Sequence, residues 1–276
     1  MRGRLRAGVR SRLGQVLALA AVFTILSTAC GGAGKRKPPP LPPPTPNEDL
    51  YERGRKLIEQ RRFFQARKAL SEIGTRETQS AALDPLVKIA LADSYFYQSG
   101  PENLIEAQSR YSQFVSFYPS HELAGYAQFQ VGICNLLQSP VAHLDQTFTR
   151  KAIEEFDKVP KIDPNGRFAR PAEQMRERCN EKLAEHDYQV GVFYYKRKAY
   201  AGAIARFKNV LESYPRYSET DAVYFHLGMA LVNSGNGTEG GIYLEKLVRD
   251  YPTSRFASEA KAALERLRVD AVRAGR

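Results

Sequence analysis

The chain has 276 residues, with 41 lysines and arginines against 30 acidic residues and a formal charge of +11. The basic excess does not read as a nucleic-acid surface, because the cations are dispersed and no groove-entering module accompanies them. No apolar run approaches the roughly 20 residues that a membrane-spanning helix needs.

Arg2, Arg4, Arg6, Arg10 and Arg12 come with no acidic residue, ahead of a largely apolar stretch from Val16 to Leu26 that closes on Ser27, Thr28, Ala29 and Cys30. A basic start, a short apolar run and small residues at its end form the layout of a signal peptide, residues 1–29. The end of the run resembles the bacterial lipobox, although Ser27 stands where that signal usually carries Leu, and Leu26 lies one place further back. The resemblance implies a diacylglycerol thioether on Cys30 and cleavage just before it. Gly31 follows where an inner-membrane retention signal places Asp, so the same resemblance implies the outer membrane. The plainer reading is an ordinary secretory signal cut near Ala29 and a free thiol at Cys30. Either cut removes five arginines and leaves +6 over 247 residues.

Residues 30–47 read as a tether. Seven of the nine residues 38–46 are proline, which favours a stiff, extended spacer of roughly 3 Å per residue. Lys35, Arg36 and Lys37 belong to this solvated segment, or add about 1 kcal/mol each of attraction to an anionic surface. Beyond Cys30 the only cysteines are Cys134 and Cys179. An exported chain permits them to pair, and two buried helix thiols are the alternative.

From Leu50 onward apolar and aromatic residues recur at helical spacing, with no convincing strand alternation. One unit repeats. Ala107, Ala152, Ala203 and Gly240 are each followed four residues on by Tyr111, Phe156, Phe207 and Leu244, and twelve residues on by Pro119, Pro164, Pro215 and Pro252. Twelve residues upstream of the small residue lies a glycine in Gly54–Ala66, Gly191–Ala203 and Gly228–Gly240. Two crossing helices need small residues at the contact, the aromatic fills the space above it, and proline ends the second helix. Ser120, and Ser218 with Asp221, stand where the next helices would be capped. This register resembles the tetratricopeptide repeat and implies an all-α, right-handed superhelical stack of about five helix pairs.

The irregular spacings are more specific. Pro119–Gly132 and Pro215–Gly228 each span 13 residues, but Pro164–Gly191 spans 27. The fourteen extra residues are about four helical turns, which predicts one long helix from about Pro171 to Lys198. Gly132–Ala152 spans 20 where 12 is the rule, which inserts a loop around Ser139–Thr149. Residues 48–168 then hold repeats one to three, and residues 169–276 hold the connector helix, repeats four and five and a terminal helix.

Lipobox, proline-rich tether, five such units, the insertion in the third and the long helix before the fourth together resemble the BamD, or YfiO, family of outer-membrane assembly lipoproteins. Gly125–Ala169 and Asp187–Ala257 carry the resemblance best. It implies a non-catalytic scaffold on the periplasmic face of the outer membrane. The implied partners are a BamA-type barrel protein, other assembly lipoproteins and unfolded barrel clients. A second adaptor class, the Tol-linked cell-division coordinator, has similar Tyr-Pro repeat ends, but it carries a coiled coil ahead of its repeats and no lipid, and residues 31–49 have no heptads.

Residues three before, one after and four after the repeat glycine share one helix face, which in this fold lines the concave groove. They are Tyr51, Arg55 and Ile58, then Ile89, Asp93 and Phe96 with Ala92 in the glycine's place, then Phe129, Ile133 and Leu136. The later repeats give Tyr188, Val192, Tyr195, Phe225, Met229 and Val232. For the client groove the expected residues are Tyr51, Ile89, Asp93, Phe96, Tyr126 and Phe129. The alternative for any one of them is core between stacked pairs. Lys196, Arg197 and Lys198 form a compact basic turn in repeat four, expected to dock the partner, or else merely solvated. His121, His143, His186 and His226 have no second ligand at metal spacing. No nucleotide loop, nucleophile elbow or C-x-x-C pair is present, so no enzyme, metal or cofactor is expected.

Overall fold

A computed structural model describes residues 45–74 and 82–274. The signal peptide, Cys30 and nearly all of the tether therefore lie outside the described residues. Twelve helices and no strand are present among those described. The first six are α1 (Pro46–Glu59), α2 (Phe63–Gly74), α3 (Leu83–Gln98), α4 (Pro101–Phe117), α5 (Ala124–Gln138) and α6 (Thr147–Phe156). Then come a single turn α7 (Val159–Ile162), the long α8 (Ala169–Lys196), α9 (Tyr200–Ser213), α10 (Thr220–Asn233), α11 (Gly237–Asp250) and α12 (Ala257–Ala274). Each packs chiefly on its neighbours in the chain. The pairs are α1/α2, α3/α4, α5/α6, α8/α9 and α10/α11, and α12 covers the last.

The repeat register is a set of close crossings. A Cβ added to Gly54 would stand 2.6 Å from Leu70 Cγ, one on Gly132 2.5 Å from Phe156 Cε1, one on Gly191 2.5 Å from Phe207 Cε1, and one on Gly228 2.7 Å from Leu244 Cγ. In the second pair Ala92 and Ala107 are both fully buried, and Tyr111 fills the equivalent place at 0% exposure. The residue four positions beyond the second helix's small residue is thus the one seated on the first helix's glycine, in the four pairs that carry one.

Local signals set several boundaries. α1 starts at Pro46, two residues before the expected start of the repeats at residue 48, because Thr45 caps it. The Thr45 hydroxyl accepts from the Glu48 amide at 3.3 Å, the Glu48 carboxylate accepts from the Thr45 amide at 2.6 Å, and proline fits the first helical turn. The expected caps at Ser120 and Ser218 are not used: α5 and α10 begin later, at Ala124 and Thr220. Ser218 bonds through its amide and hydroxyl to Glu181 of α8 instead. The second helix of the third pair also breaks early, after Phe156. Pro160 has no amide hydrogen to give to the Phe156 carbonyl, and its ring would press on that carbonyl.

α8 has 28 residues and serves two cores. Ala172, Met175 and Cys179 pack with Phe129, Ala152 and Phe156 of the third pair. Ala184, Tyr188, Val192 and Tyr195 pack with Ala203, Phe207 and Leu227 of the pairs that follow. Asp187 ties the helix to α9 by accepting from Arg206 at 3.1 Å and Asn209 at 2.9 Å.

Candidate interaction surfaces

The stripe expected to form an open client groove is largely interior. Tyr51, Ile89, Asp93, Tyr126 and Phe129 are each at most 8% exposed, and only Phe96 is half-buried. The correction has a packing cause. A residue on this face also points at the next helix pair, and stacking covers it. Phe129 has its ring 5.6 Å from that of Phe156 and 5.3 Å from that of Phe168, the residue just before α8. What stays reachable is a narrower edge of half-buried side chains: Arg55, Ile58, Phe96, Tyr97, Ile133 and Leu136.

Beneath that edge Asp93 holds three helices together. The Tyr111 hydroxyl of α4 donates to Asp93 Oδ1 at 2.5 Å and the Tyr126 hydroxyl of α5 donates to the same oxygen at 2.7 Å. Gln130 Nε2 donates to the Tyr126 hydroxyl at 2.9 Å. Burial pushes the Asp93 carboxyl up to about 6, with the two tyrosine hydroxyls and the charge of Arg55 pulling the other way. Burial likewise raises both tyrosines, and the Asp93 charge adds to it. The arrangement is a brace between α3, α4 and α5.

In the later repeats Tyr188, Val192, Tyr195, Met229 and Val232 are half-buried and Phe225 is buried. The His226 ring lies 5.3 to 5.9 Å from those of Tyr188, Tyr195, Phe207, Phe225 and Phe256. His226 Nδ1 is 2.9 Å from the Ala222 carbonyl, and burial lowers its pKa.

The basic turn is open. Lys196, Arg197 and Lys198 are all exposed, and Lys198 takes a positive φ of 60° as the chain reverses into α9. Two residues that charge alone did not single out share this surface. The Arg197 guanidinium lies 4.2 Å from the ring centre of Phe193, which is 49% exposed, and Tyr194 beside it is 36% exposed. The aromatic run Phe193-Tyr194-Tyr195 ahead of the three cations was the available signal.

Among the described residues no three His, Cys, Asp or Glu side chains gather as a metal site, and no helix is long and apolar enough to cross a membrane. A sequence model of the family described as YfiO, outer membrane lipoprotein, matches residues 43–231.

The chain belongs to the YfiO family.

A tetratricopeptide-repeat model also matches residues 222–254, which cover α10 and α11. Among curated YfiO-type relatives, the outer membrane protein assembly factor BamD of Caulobacter vibrioides is 28% identical over 243 residues, 88% of this chain and 78% of that protein. The BamD of Rickettsia prowazekii is 27% identical over 219 residues, 78% of this chain and 84% of that protein. The BamD of Xylella fastidiosa strain 9a5c is 23% identical over 236 residues, covering 81% and 77%. The YfiO match runs from the end of the tether through most of α10, so it takes in both the Asp93 brace and the basic turn.

Proposed function

We propose that the chain is a non-catalytic, lipid-anchored adaptor of outer-membrane β-barrel assembly, working at the periplasmic face. The observation that carries this reading is the YfiO family match across residues 43–231, supported by relatives named as outer membrane protein assembly factors. In this reading residues 1–29 are removed and Cys30 carries the lipid. The first three pairs receive an unfolded barrel client along the edge of Arg55, Ile58, Phe96, Tyr97, Ile133 and Leu136. The basic turn, with Phe193 and Tyr194, docks a BamA-type barrel protein, where an exposed aromatic and a stacked arginine are the residue types that anchor interfaces. Other assembly lipoproteins join the same complex.

Two measurements test it. Cys30→Ser is expected to leave the protein folded, release it from the membrane fraction and abolish labelling by a fatty-acid analogue. Co-purification from detergent-solubilised membranes is expected to recover a large barrel protein with repeated periplasmic domains. Recovery of Tol components instead would move the chain to the cell-division adaptor class.

A further inference from the structure

Between α5 and α6 lies a loop, residues 139–146, whose backbone is tightly held and whose tip is apolar. Gln146 is 1% exposed and its Nε2 donates to the carbonyls of Val141 at 2.9 Å, Ala142 at 3.2 Å and Leu144 at 2.8 Å. Its Oε1 accepts from the Thr149 hydroxyl at 2.7 Å. From α8, Lys182 Nζ donates to Ser139 Oγ at 2.7 Å, and His186 Nδ1 lies 2.6 Å from the Ala142 carbonyl. Fixed in this way, the loop leaves Val141 56% and Leu144 50% exposed, and Leu137 at its foot is 45% exposed. Arg150 and Lys151 are exposed close to the tip, and so is the loop's one acid, Asp145, whose carboxylate accepts from the Thr147 amide at 3.2 Å and hydroxyl at 3.0 Å.

We infer that this loop is a membrane-contact element whose apolar tip enters the headgroup boundary of an anionic phospholipid surface. The inference rests on the anchored reading above, which places such a surface within reach: the fifteen residue-to-residue steps from Cys30 to Thr45 span at most roughly 50 Å. Size favours lipid over protein. A loop this short supplies far less than the roughly 800 Å² that each side of a stable protein interface buries. Interfacial attachment needs only a few apolar side chains with cations beside them, and it adds to a lipid anchor as a second signal. A held backbone suits the task, since no ordering is then required on insertion.

The chain contains no tryptophan, so a single introduced one reports its own surroundings. Leu144→Trp on the loop is compared with Ile242→Trp on α11, where the native side chain is 51% exposed. Each lipidated full-length protein is reconstituted into phosphatidylglycerol-containing vesicles with brominated acyl chains. Emission from position 144 is expected to shift to the blue and to be quenched several-fold more than emission from position 242. Equal quenching at the two positions overturns the inference. So does a blue shift at 144 that appears only when partner protein is added and is untouched by bromine, because the contact is then protein. Adding Cys30→Ser to both proteins and mixing them with the same vesicles tests the loop without the anchor. Preferential quenching at 144 is expected to persist at high lipid. If it persists while the native chain takes no fatty-acid label, the anchor reading fails and the loop stands. In that soluble form, Val141→Asp with Leu144→Asp is expected to lower vesicle co-sedimentation by about tenfold, the equivalent of about two buried methylene groups. Unchanged sedimentation counts against the loop.

Discussion

Phe156 occupies the space that a side chain at Gly132 would need: a Cβ there would lie 2.5 Å from Phe156 Cε1 and 2.6 Å from Cδ1. The two residues sit on the paired helices α5 and α6, and the same relation recurs in the other pairs that carry a glycine at the crossing.

Gly132→Ala is therefore expected to destabilise the fold by about 1–3 kcal/mol through overpacking, despite alanine's better helix propensity. Gly241, inside α11, has nothing nearer than 3.8 Å to an added Cβ. Gly241→Ala should stabilise by about 0.5–1 kcal/mol, since only the backbone term changes. Ala203→Leu at a fully buried crossing should behave like the first, and Ala201→Leu at an exposed position should cost far less. Urea titrations of the four variants check the set.

The Asp93 brace predicts a pH dependence with a definite sign. Its carboxyl titrates at about 6 in the folded protein, above its value in the unfolded chain, so the folded state holds the proton more tightly. The stabilisation this supplies is fully present below about pH 4 and is lost as the pH rises through about 6. Between about pH 5 and pH 8 the loss should be on the order of 1 kcal/mol. Asp93→Asn should remove that slope while other groups titrate alike in both proteins. Chemical denaturation of the two proteins across this range measures the difference, and parallel curves would mean that Asp93 does not titrate there.

Cys134 and Cys179 are free, fully buried and set in different core clusters. Burial pushes both thiols up to about 12, so neither presents a thiolate at neutral pH. Native protein mixed with a chromogenic disulfide reagent is expected to show no reaction at either residue, and reaction at both once denatured.

Much of this architecture was legible in the sequence because it depends on local spacing. The Gly132–Phe156 contact follows from two small residues and one aromatic at fixed offsets, and the 28-residue α8 follows from a stretch without a breaker after Pro171. The candidate groove was legible only in part. Offsets from the repeat glycine identify a helix face but not how much of it the next pair covers, so Phe129 was read as groove and is buried. Phe129→Ala should thus cost about 3–5 kcal/mol of stability instead of acting on binding alone. Asp93 showed itself as one acid in an otherwise apolar stretch, yet its partners Tyr111 and Tyr126 lie 18 and 33 residues away. Spacing within a repeat carries no record of such pairings. The break after Phe156 is encoded by Pro160, which stops the helix four residues ahead of the repeat proline, Pro164.

The central claim is that client and barrel partner use different surfaces of one helical stack, and binding titrations of matched variants test it most directly. Phe96→Ala with Tyr97→Ala alters the half-buried edge over the first three pairs. Lys196→Glu with Arg197→Glu alters the basic turn. Each protein is titrated with a peptide from the C-terminal strand of a barrel client and, separately, with the periplasmic domains of a BamA-type protein. The account predicts that the first pair of changes weakens the peptide by about tenfold or more and spares the partner, and that the second pair does the reverse. Equal weakening of both ligands by both sets, or binding of neither ligand by the unaltered protein, would contradict it.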